Sequence, residues 1–350
     1  MMPTESGKLG IAMIGSGEIA SAYLPAIKAQ EDGEAIWCQD ISEFQAKRMG
    51  EHNGVPWTTD LDTVLADPRV DVVIVATPHA THPELTIKAA RAGKHVMCDK
   101  PICTTREDAL LMIEECKKAG VKLGVNLASR YQPFATVTKD LLDRKVIGEI
   151  MLVKVSAYAY KPDKYWTTGW MEGGNTSWRA SKKMAGGGIG IMNMTHEIDR
   201  LRYCSGLEIL HIKGECDTFL AKVEVEDTLA AVWRYNNGAI GVVIAGSNLH
   251  GQHHEPTRIF GTKGQLELWE PVRVFTTRED TEFKSGEWHD IEAPRIENNY
   301  IPYIADFLGS VRNDTDPPIT GEDGFRVLDA ILGIYESSER KQTVFMKQEI

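Results

Sequence analysis

The sequence has few cysteines, no long hydrophobic run and no block of basic residues, and each scarcity removes a class of protein. Six cysteines stand at positions 38, 98, 103, 116, 204 and 216 of a 350-residue chain, and none forms a Cys-x-x-Cys pair. That density is too low for a disulfide scaffold. Several of the six lie in apolar runs, where cysteine serves as a small buried hydrophobe, so a reduced, cytoplasmic protein is expected. The clearest apolar run, Val70–Ala76, is seven residues long and contains Asp71, against the roughly 20 that a membrane span needs. Met1 to Lys8 is short and polar, and no secretory signal is expected. Lysine and arginine number 39 and aspartate and glutamate 50, a net charge of −11, with no Lys/Arg run. Such a chain repels phosphate backbones, so no nucleic-acid partner is expected. A Gly-x-Ser-x-Gly elbow and a Walker loop are both missing, which leaves hydrolase-triad and nucleotide-triphosphatase chemistry little support. There is no internal repeat and no low-complexity segment.

What is present is an ordinary globular composition, 42% hydrophobic and 25% charged, at a length that suggests two domains. The first part alternates in type. Leu9–Ile14 reads as a strand, followed by a Gly-rich turn and a helix to about Lys28. Glu34–Cys38 reads as a strand, and Ser42–Asn53 as a helix with Ser42 as its N-cap. Val70–Ala76 has the composition of a strand buried on both faces. His82-Pro83 opens a helix that Gly93 stops, and His95–Cys98 is a strand. Thr104-x-x-Glu107 predicts a capping box ahead of a helix to Ala119, and Val121–Val125 is a fifth strand. This alternation predicts a doubly wound parallel sheet with helices on both faces.

The character changes near Ser129. Glu149–Ala159, Leu207–Cys216, Asp217–Val225, Thr228–Tyr235, Ala239–Ser247 and Arg258–Leu268 read as strands, several separated by turn signals. Helices are expected near Met194–Cys204, Ile301–Arg312 and Gly324–Ser338. Strands that follow one another predict a mainly antiparallel, open sheet in an α+β domain. The expected division is residues 1–128 for nucleotide binding and 129–350 for substrate binding and oligomerisation.

Three blocks carry chemistry. Gly15-Ser16-Gly17-Glu18-Ile19-Ala20 follows a strand and opens a helix. Its first Gly permits the tight turn, its second lets a pyrophosphate approach the backbone, and Ala20 still permits close packing. Asp40 follows the second strand 23 residues after Gly17, placed to bind a ribose 2′-hydroxyl and repel a 2′-phosphate. Ile41 and Ser42 behind it offer no Arg for that phosphate, so NAD is favoured, with NADP open through a basic residue elsewhere. Cys98-Asp99-Lys100-Pro101 lies at the C-terminal end of a strand, where open α/β sheets bind ligands. Gly186–Asp199 holds several glycines, Asn193 as a helix cap, and His196 as an acid–base candidate. No metal site is expected: His79/His82 and His250/His253/His254 lack an acidic or Cys partner at zinc spacing. Tyr165, Trp166, Trp170 and Trp178 form an aromatic-rich segment that suits either packing or stacking on a sugar.

Taken together, these pieces resemble the Gfo/Idh/MocA oxidoreductase family. The resemblance runs from about Leu9 to Val344 through GSGEIA (15–20), ATPHATH (76–82), AGKHVMCDKP (92–101), NLASRYQP (126–133), GGG…HEID (186–199), VEDTLA (225–230), IFGTKGQLEL (259–268) and YIADFLGSV (303–311). It implies an N-terminal Rossmann domain, a C-terminal domain with an open antiparallel sheet, and a homodimer or homotetramer packed through that sheet. It implies an NAD(P)-dependent dehydrogenase or reductase acting on a secondary hydroxyl or keto group of a sugar, sugar derivative or cyclitol. Lys100 and His196 match the family's catalytic Lys and His. The cofactor is expected to touch Gly15, Gly17, Glu18, Ile19, Asp40 and Ile41, with Thr77, Pro78, His79, His82, Asp99, Lys100 and Asn126 around its nicotinamide half. Trp166, Arg179, Asn193 and Tyr300, or Tyr303, are expected at the substrate with Lys100 and His196. One departure stands out: Met192 occupies the position, four residues before the His, where many members carry Asp. Two other outcomes stay open, a glycoside hydrolase that oxidises, eliminates and reduces again on one bound NAD, and a non-catalytic NAD-binding protein.

Overall fold

The computed structural model describes residues 7–171, 173–250 and 255–348. The chain forms two compact units. The first comprises residues up to Ala128 together with Asp163–Gly186 and Asn298–Leu328; the second holds Ser129–Pro162, Gly187–Glu297 and Asp329 onward. A single cut after residue 128 therefore describes the first passage between units, while two later segments return to the first.

The first unit is built on six parallel strands: β1 (Leu9–Ile14), β2 (Gly33–Gln39), β3 (Trp57–Thr58), β4 (Val72–Val75), β5 (His95–Asp99) and β6 (Leu123–Asn126). Their order is β3-β2-β1-β4-β5-β6. The order reverses between β1 and β4, and that switch point is where open α/β sheets bind ligands. Every residue of β1 and β4 is buried, as strands covered on both faces require. Helix α1 (Ala20–Lys28) follows β1, and helix α2 (Glu43–Asn53) follows β2. The Ser42 hydroxyl accepts from Gln45 N at 3.4 Å, as the sequence predicts for its N-cap. The next predicted cap is off by one. Thr105, not Thr104, caps the helix Arg106–Ala119, its hydroxyl accepting from Asp108 N at 3.1 Å. Thr105 holds the extended N-cap conformation, and Asp108 replaces Glu107 as its acidic partner. The short strand β3 and the helix Leu61–Ala66 were not anticipated; neither is long enough to show a period.

The second unit carries nine strands: β7 (Ile150–Tyr158), β8 (Ile209–Asp217), β9 (Thr228–Tyr235), β10 (Ile240–Gly246), β11 (Thr257–Gly261), β12 (Gly264–Leu268), β13 (Val272–Thr276), β14 (Trp288–Ile291) and β15 (Val344–Phe345). Every pair is antiparallel except β10 with β7. Along β9, Leu229, Ala231, Trp233 and Tyr235 are buried while Ala230, Val232 and Arg234 are exposed. The period of two marks a sheet with one covered face. The expected strand Asp217–Val225 is a loop beyond the first residue. Asp227 organises it, accepting N–H bonds from Phe219, Leu220 and Ala221 at 3.1, 2.7 and 2.9 Å. A carboxylate that satisfies three consecutive amides competes directly with a sheet ladder.

Candidate active site

In the first unit the Gly-rich turn lies at the switch point. Gly15 has φ +93°, and a Cβ there would come within 2.5 Å of the Ala76 carbonyl oxygen. Only glycine fits. A Cβ on Gly17 would meet nothing within 4 Å, and no side chain caps the start of α1 at Ile19. Open space before an uncapped helix end is what a pyrophosphate needs, so these residues fit a dinucleotide. Asp40 sits at the end of β2. One carboxylate oxygen accepts from Ser16 N and the other from Ser42 N, both at 2.8 Å. These bonds hold the acid against the turn. Ile41 beside it is exposed.

The loops after β4 and β5 are tied together by His82. Its Nδ1 faces the Pro101 carbonyl at 3.0 Å and its Nε2 the Thr77 carbonyl at 2.9 Å. Burial lowers its pKa, while Asp99 and the two carbonyls oppose that shift. His79 is held well below the usual imidazole range by burial and by the charge of His82. It therefore stays neutral, donating from Nδ1 to the Ala185 carbonyl at 2.7 Å. The Thr77 and Thr81 hydroxyls lie 2.7 Å apart, which fixes the turn around Pro78. Asp99 accepts from Asn126 Nδ2 at 2.9 Å and from the Tyr23 hydroxyl at 3.1 Å. The Tyr23 ring lies 5.1 Å from that of Tyr300, whose pKa burial raises to about 12. Lys100 follows Asp99. Burial lowers its pKa, with Asp99 opposing and Arg179 adding to the fall.

The returning segment Asp163–Gly186 is fastened to this turn. Arg179 donates to Glu18 Oε2 at 2.9 Å, and Trp170 N donates to the same carboxylate. Burial opposes ionisation of Glu18, but these two bonds hold its carboxyl below the usual range. Gln45 on α2 donates to the Gly173 carbonyl at 2.9 Å. Arg179 is thus partnered by Glu18. Trp166 is 4% exposed, its ring meeting Tyr165 edge-on at 4.9 Å. Tyr303 is likewise internal, its hydroxyl donating to the Val125 carbonyl at 2.8 Å.

In the second unit the candidate residues lie on one irregular turn. Gly190–Met194 forms a single π-helical turn that runs directly into the helix Thr195–Ser205. Such turns are frequent at functional sites. Asn193 lies inside the turn and does not cap the helix. Glu226 holds the turn's N-terminal side. Its carboxylate accepts from Gly188 N at 2.7 Å, Gly190 N at 2.8 Å and the Tyr335 hydroxyl at 2.7 Å. The Tyr335 oxygen in turn accepts from Ile191 N at 3.0 Å. A Cβ on Gly188 would lie 1.8 Å from the Glu226 carbonyl oxygen, so the close approach needs glycine. Met194, Ile198 and Leu201 are buried along one face of the helix, as their spacing predicts. His196 stands in its first turn, and Ser129 Oγ donates to its carbonyl at 3.4 Å. Lys161 Nζ donates to Asn193 Oδ1 at 2.5 Å and lies 3.8 Å from Met192 Sδ. Sequence reasoning missed Lys161, Tyr23, Glu226 and Tyr335. Each reaches its partner from a distant part of the chain, and no local spacing announces it. His253 and His254 lie outside the described residues. Among those described, no three His, Cys, Asp or Glu groups converge as a metal site would require.

Comparison with known proteins extends this picture. A model for an oxidoreductase family with an NAD-binding Rossmann fold matches residues 9–127, and one for the GFO/IDH/MocA C-terminal domain matches residues 136–267. The myo-inositol 2-dehydrogenase of Thermotoga maritima is 26% identical over 348 residues, 97% of this chain and 99% of that one. The levoglucosan dehydrogenase of Pseudarthrobacter phenanthrenivorans is 30% identical over 253 residues, 65% of this chain and 62% of that one. A solved levoglucosan dehydrogenase in complex with NADH is similar with a TM-score of 0.87, at 24% identity over 98% of this chain and 100% of that chain, and so shares its fold.

Proposed function

Because this chain belongs to the Gfo/Idh/MocA oxidoreductase family, we propose that it is an NAD-dependent dehydrogenase or reductase acting on a secondary hydroxyl or keto group of a sugar, sugar derivative or cyclitol. The observation that carries the reading is the pairing, in chain order, of an NAD-binding unit with the family's own C-terminal domain. The named relatives support the substrate class, one acting on myo-inositol and another on levoglucosan.

NAD, when bound, supplies the hydride acceptor. Gly15, Gly17 and the start of α1 hold its pyrophosphate, and Asp40 holds the ribose while repelling a 2′-phosphate. His196 takes the proton from the substrate hydroxyl. Lys100 donates to the substrate oxygen and stabilises negative charge developing there. Asn193 supplies a neutral hydrogen bond to the substrate, with Tyr300 beside it, and Asp99 and Asn126 shape the nicotinamide side of the first unit.

The same reading extends to assembly and compartment. The open face of the nine-stranded sheet carries Val232, 49% exposed, and Ile244, 40% exposed, which supports a homo-oligomer formed through it. No two of the six cysteines form a disulfide, which supports the reducing cytoplasm. Among the described residues no helix is long and apolar enough to cross a membrane.

The test is to incubate purified protein with NAD, and separately NADP, against sugars, sugar acids, cyclitols and aryl glycosides, following NADH absorbance and aglycone release together. The expected result is accumulation of NADH with one polyol class and a preference for NAD that Asp40→Ala relaxes. Aglycone release with a flat NADH trace would instead identify a glycosidase that recycles its cofactor. Cofactor binding without turnover would identify a non-catalytic protein.

A further inference from the structure

His82 is fully buried, and both of its ring nitrogens meet carbonyl oxygens. Nδ1 lies 3.0 Å from the Pro101 oxygen and Nε2 lies 2.9 Å from the Thr77 oxygen. A backbone carbonyl can only accept, and a neutral imidazole carries one N–H and one bare lone pair. Either neutral tautomer would therefore set a lone pair against an oxygen at hydrogen-bond distance, on a ring with no exposed surface. Only the imidazolium, with a proton on each nitrogen, makes both bonds.

The surroundings supply what a buried cation needs, which is an opposite charge and satisfied hydrogen bonds. Burial favours the neutral ring, while Asp99 and the carbonyls of Thr77, Pro101 and Ile102 favour the charged one. Asp99 ends β5, its carboxylate fixed by Asn126 Nδ2 and the Tyr23 hydroxyl. His79, in the turn after β4, has its ring centroid 6.0 Å from that of His82 and is kept neutral, so it adds no competing charge. On the helix that His82 opens, the Glu84 carboxylate is taken by Lys88 at 2.7 Å. Lys100, directly after Asp99, is the other cation. Asp99 favours the charged form of His82 and of Lys100 alike, so the two cations share one carboxylate.

We infer that His82 is a positioning residue held as an imidazolium, stapling the loop after β4 to the loop after β5 and so setting Lys100 for its work. It acts on Lys100 in two ways. Its bond to the Pro101 carbonyl fixes the backbone immediately after Lys100. Its charge draws on Asp99, which weakens that carboxylate's hold on the Lys100 ammonium and leaves the ammonium's protons for the substrate oxygen. This rests on the reading above that Lys100 donates to the substrate.

The first measurement uses NADH-loaded protein labelled with 15N-histidine at pH 8, about 1.5 units above the ordinary imidazole pKa. Long-range 1H–15N correlation is expected to show a proton on both ring nitrogens of His82. The signals are assigned by their loss in His82→Gln or, should that variant not fold, by through-space contacts to Thr77 and Pro101. One protonated and one bare nitrogen overturns the proposal. The second measurement compares pH profiles of kcat/KM for the wild type and His82→Gln. Glutamine keeps at most one of the two donated bonds and carries no charge, so kcat should fall about 10- to 100-fold through misplacement of Lys100. The alkaline limb should also move to higher pH, because Asp99 then serves Lys100 alone. A merely structural loss lowers activity without moving that limb, so an unmoved limb overturns the positioning role. If no polyol is turned over, the dehydrogenase reading fails on its own, and the spectrum alone decides whether His82 is the charged staple.

Discussion

Lys100 shows how burial changes the chemistry a single side chain can do. A free lysine holds its proton to a pKa of about 10.4. Burial lowers that value here, with Arg179 adding to the fall and Asp99 opposing it. If Lys100 donates to the substrate oxygen, activity is present while it is protonated and is lost as pH rises through its lowered pKa. The alkaline limb of a kcat/KM profile should therefore fall below the free-lysine value, and Lys100→Met should remove the limb and cost about 10²- to 10⁴-fold in kcat. Near-wild-type turnover by Lys100→Met, or a limb at the free-lysine value, would sink this role. The motif around Lys100 was legible from its place at a strand end. The partners that tune it were not, because Arg179 reaches the first unit from 79 positions further along the chain. Arg179, expected at the substrate, donates to Glu18 in the folded unit. A charged residue's partner is decided by what the fold brings near it.

At the scale of elements, the regular strands and helices of the first unit followed from their pattern. A run such as Val72–Val75 leaves little choice, being apolar, β-branched and bounded by Thr77-Pro78. Irregular elements did not follow. The π turn at Gly190–Met194 has no propensity signal of its own; Glu226 and Tyr335, bonded to each other, impose it by accepting three hydrogen bonds from Gly188, Gly190 and Ile191. Tyr335→Phe removes the bond to Glu226 and the acceptor for Ile191 N, leaving a buried N–H unmade. That should cost about 1–3 kcal/mol of stability, read as a lower denaturant midpoint. An unchanged midpoint would mean the turn holds without the hydroxyl. The loop after β8 repeats the point, with Asp227 overriding residues that read as a strand.

At the scale of the whole molecule, the open sheet face makes a separate prediction. Val232 and Ile244 sit on β9 and β10 beside one another's paired residues, Val242 and Ala230. Lysine at both positions should give a monomer by light scattering with stability changed by no more than about 0.5 kcal/mol, as for surface sites. An oligomer that survives the double substitution would place the interface elsewhere. By itself, the sequence determined the alternating strands and helices of the first unit, the Gly-rich turn between β1 and α1, and the antiparallel run of the second unit. It also supplied the motif series that identifies the family. These are properties of neighbours along the chain, where period, caps and turn chemistry act over a few residues. Only the tertiary structure decided that two later segments rejoin the first unit, that Glu18 binds Arg179, that Trp166 packs inward, and that Lys161 meets Asn193. Those outcomes join residues tens to hundreds of positions apart, and their energies come from burial and hydrogen-bond pairing that exist only once the chain has folded.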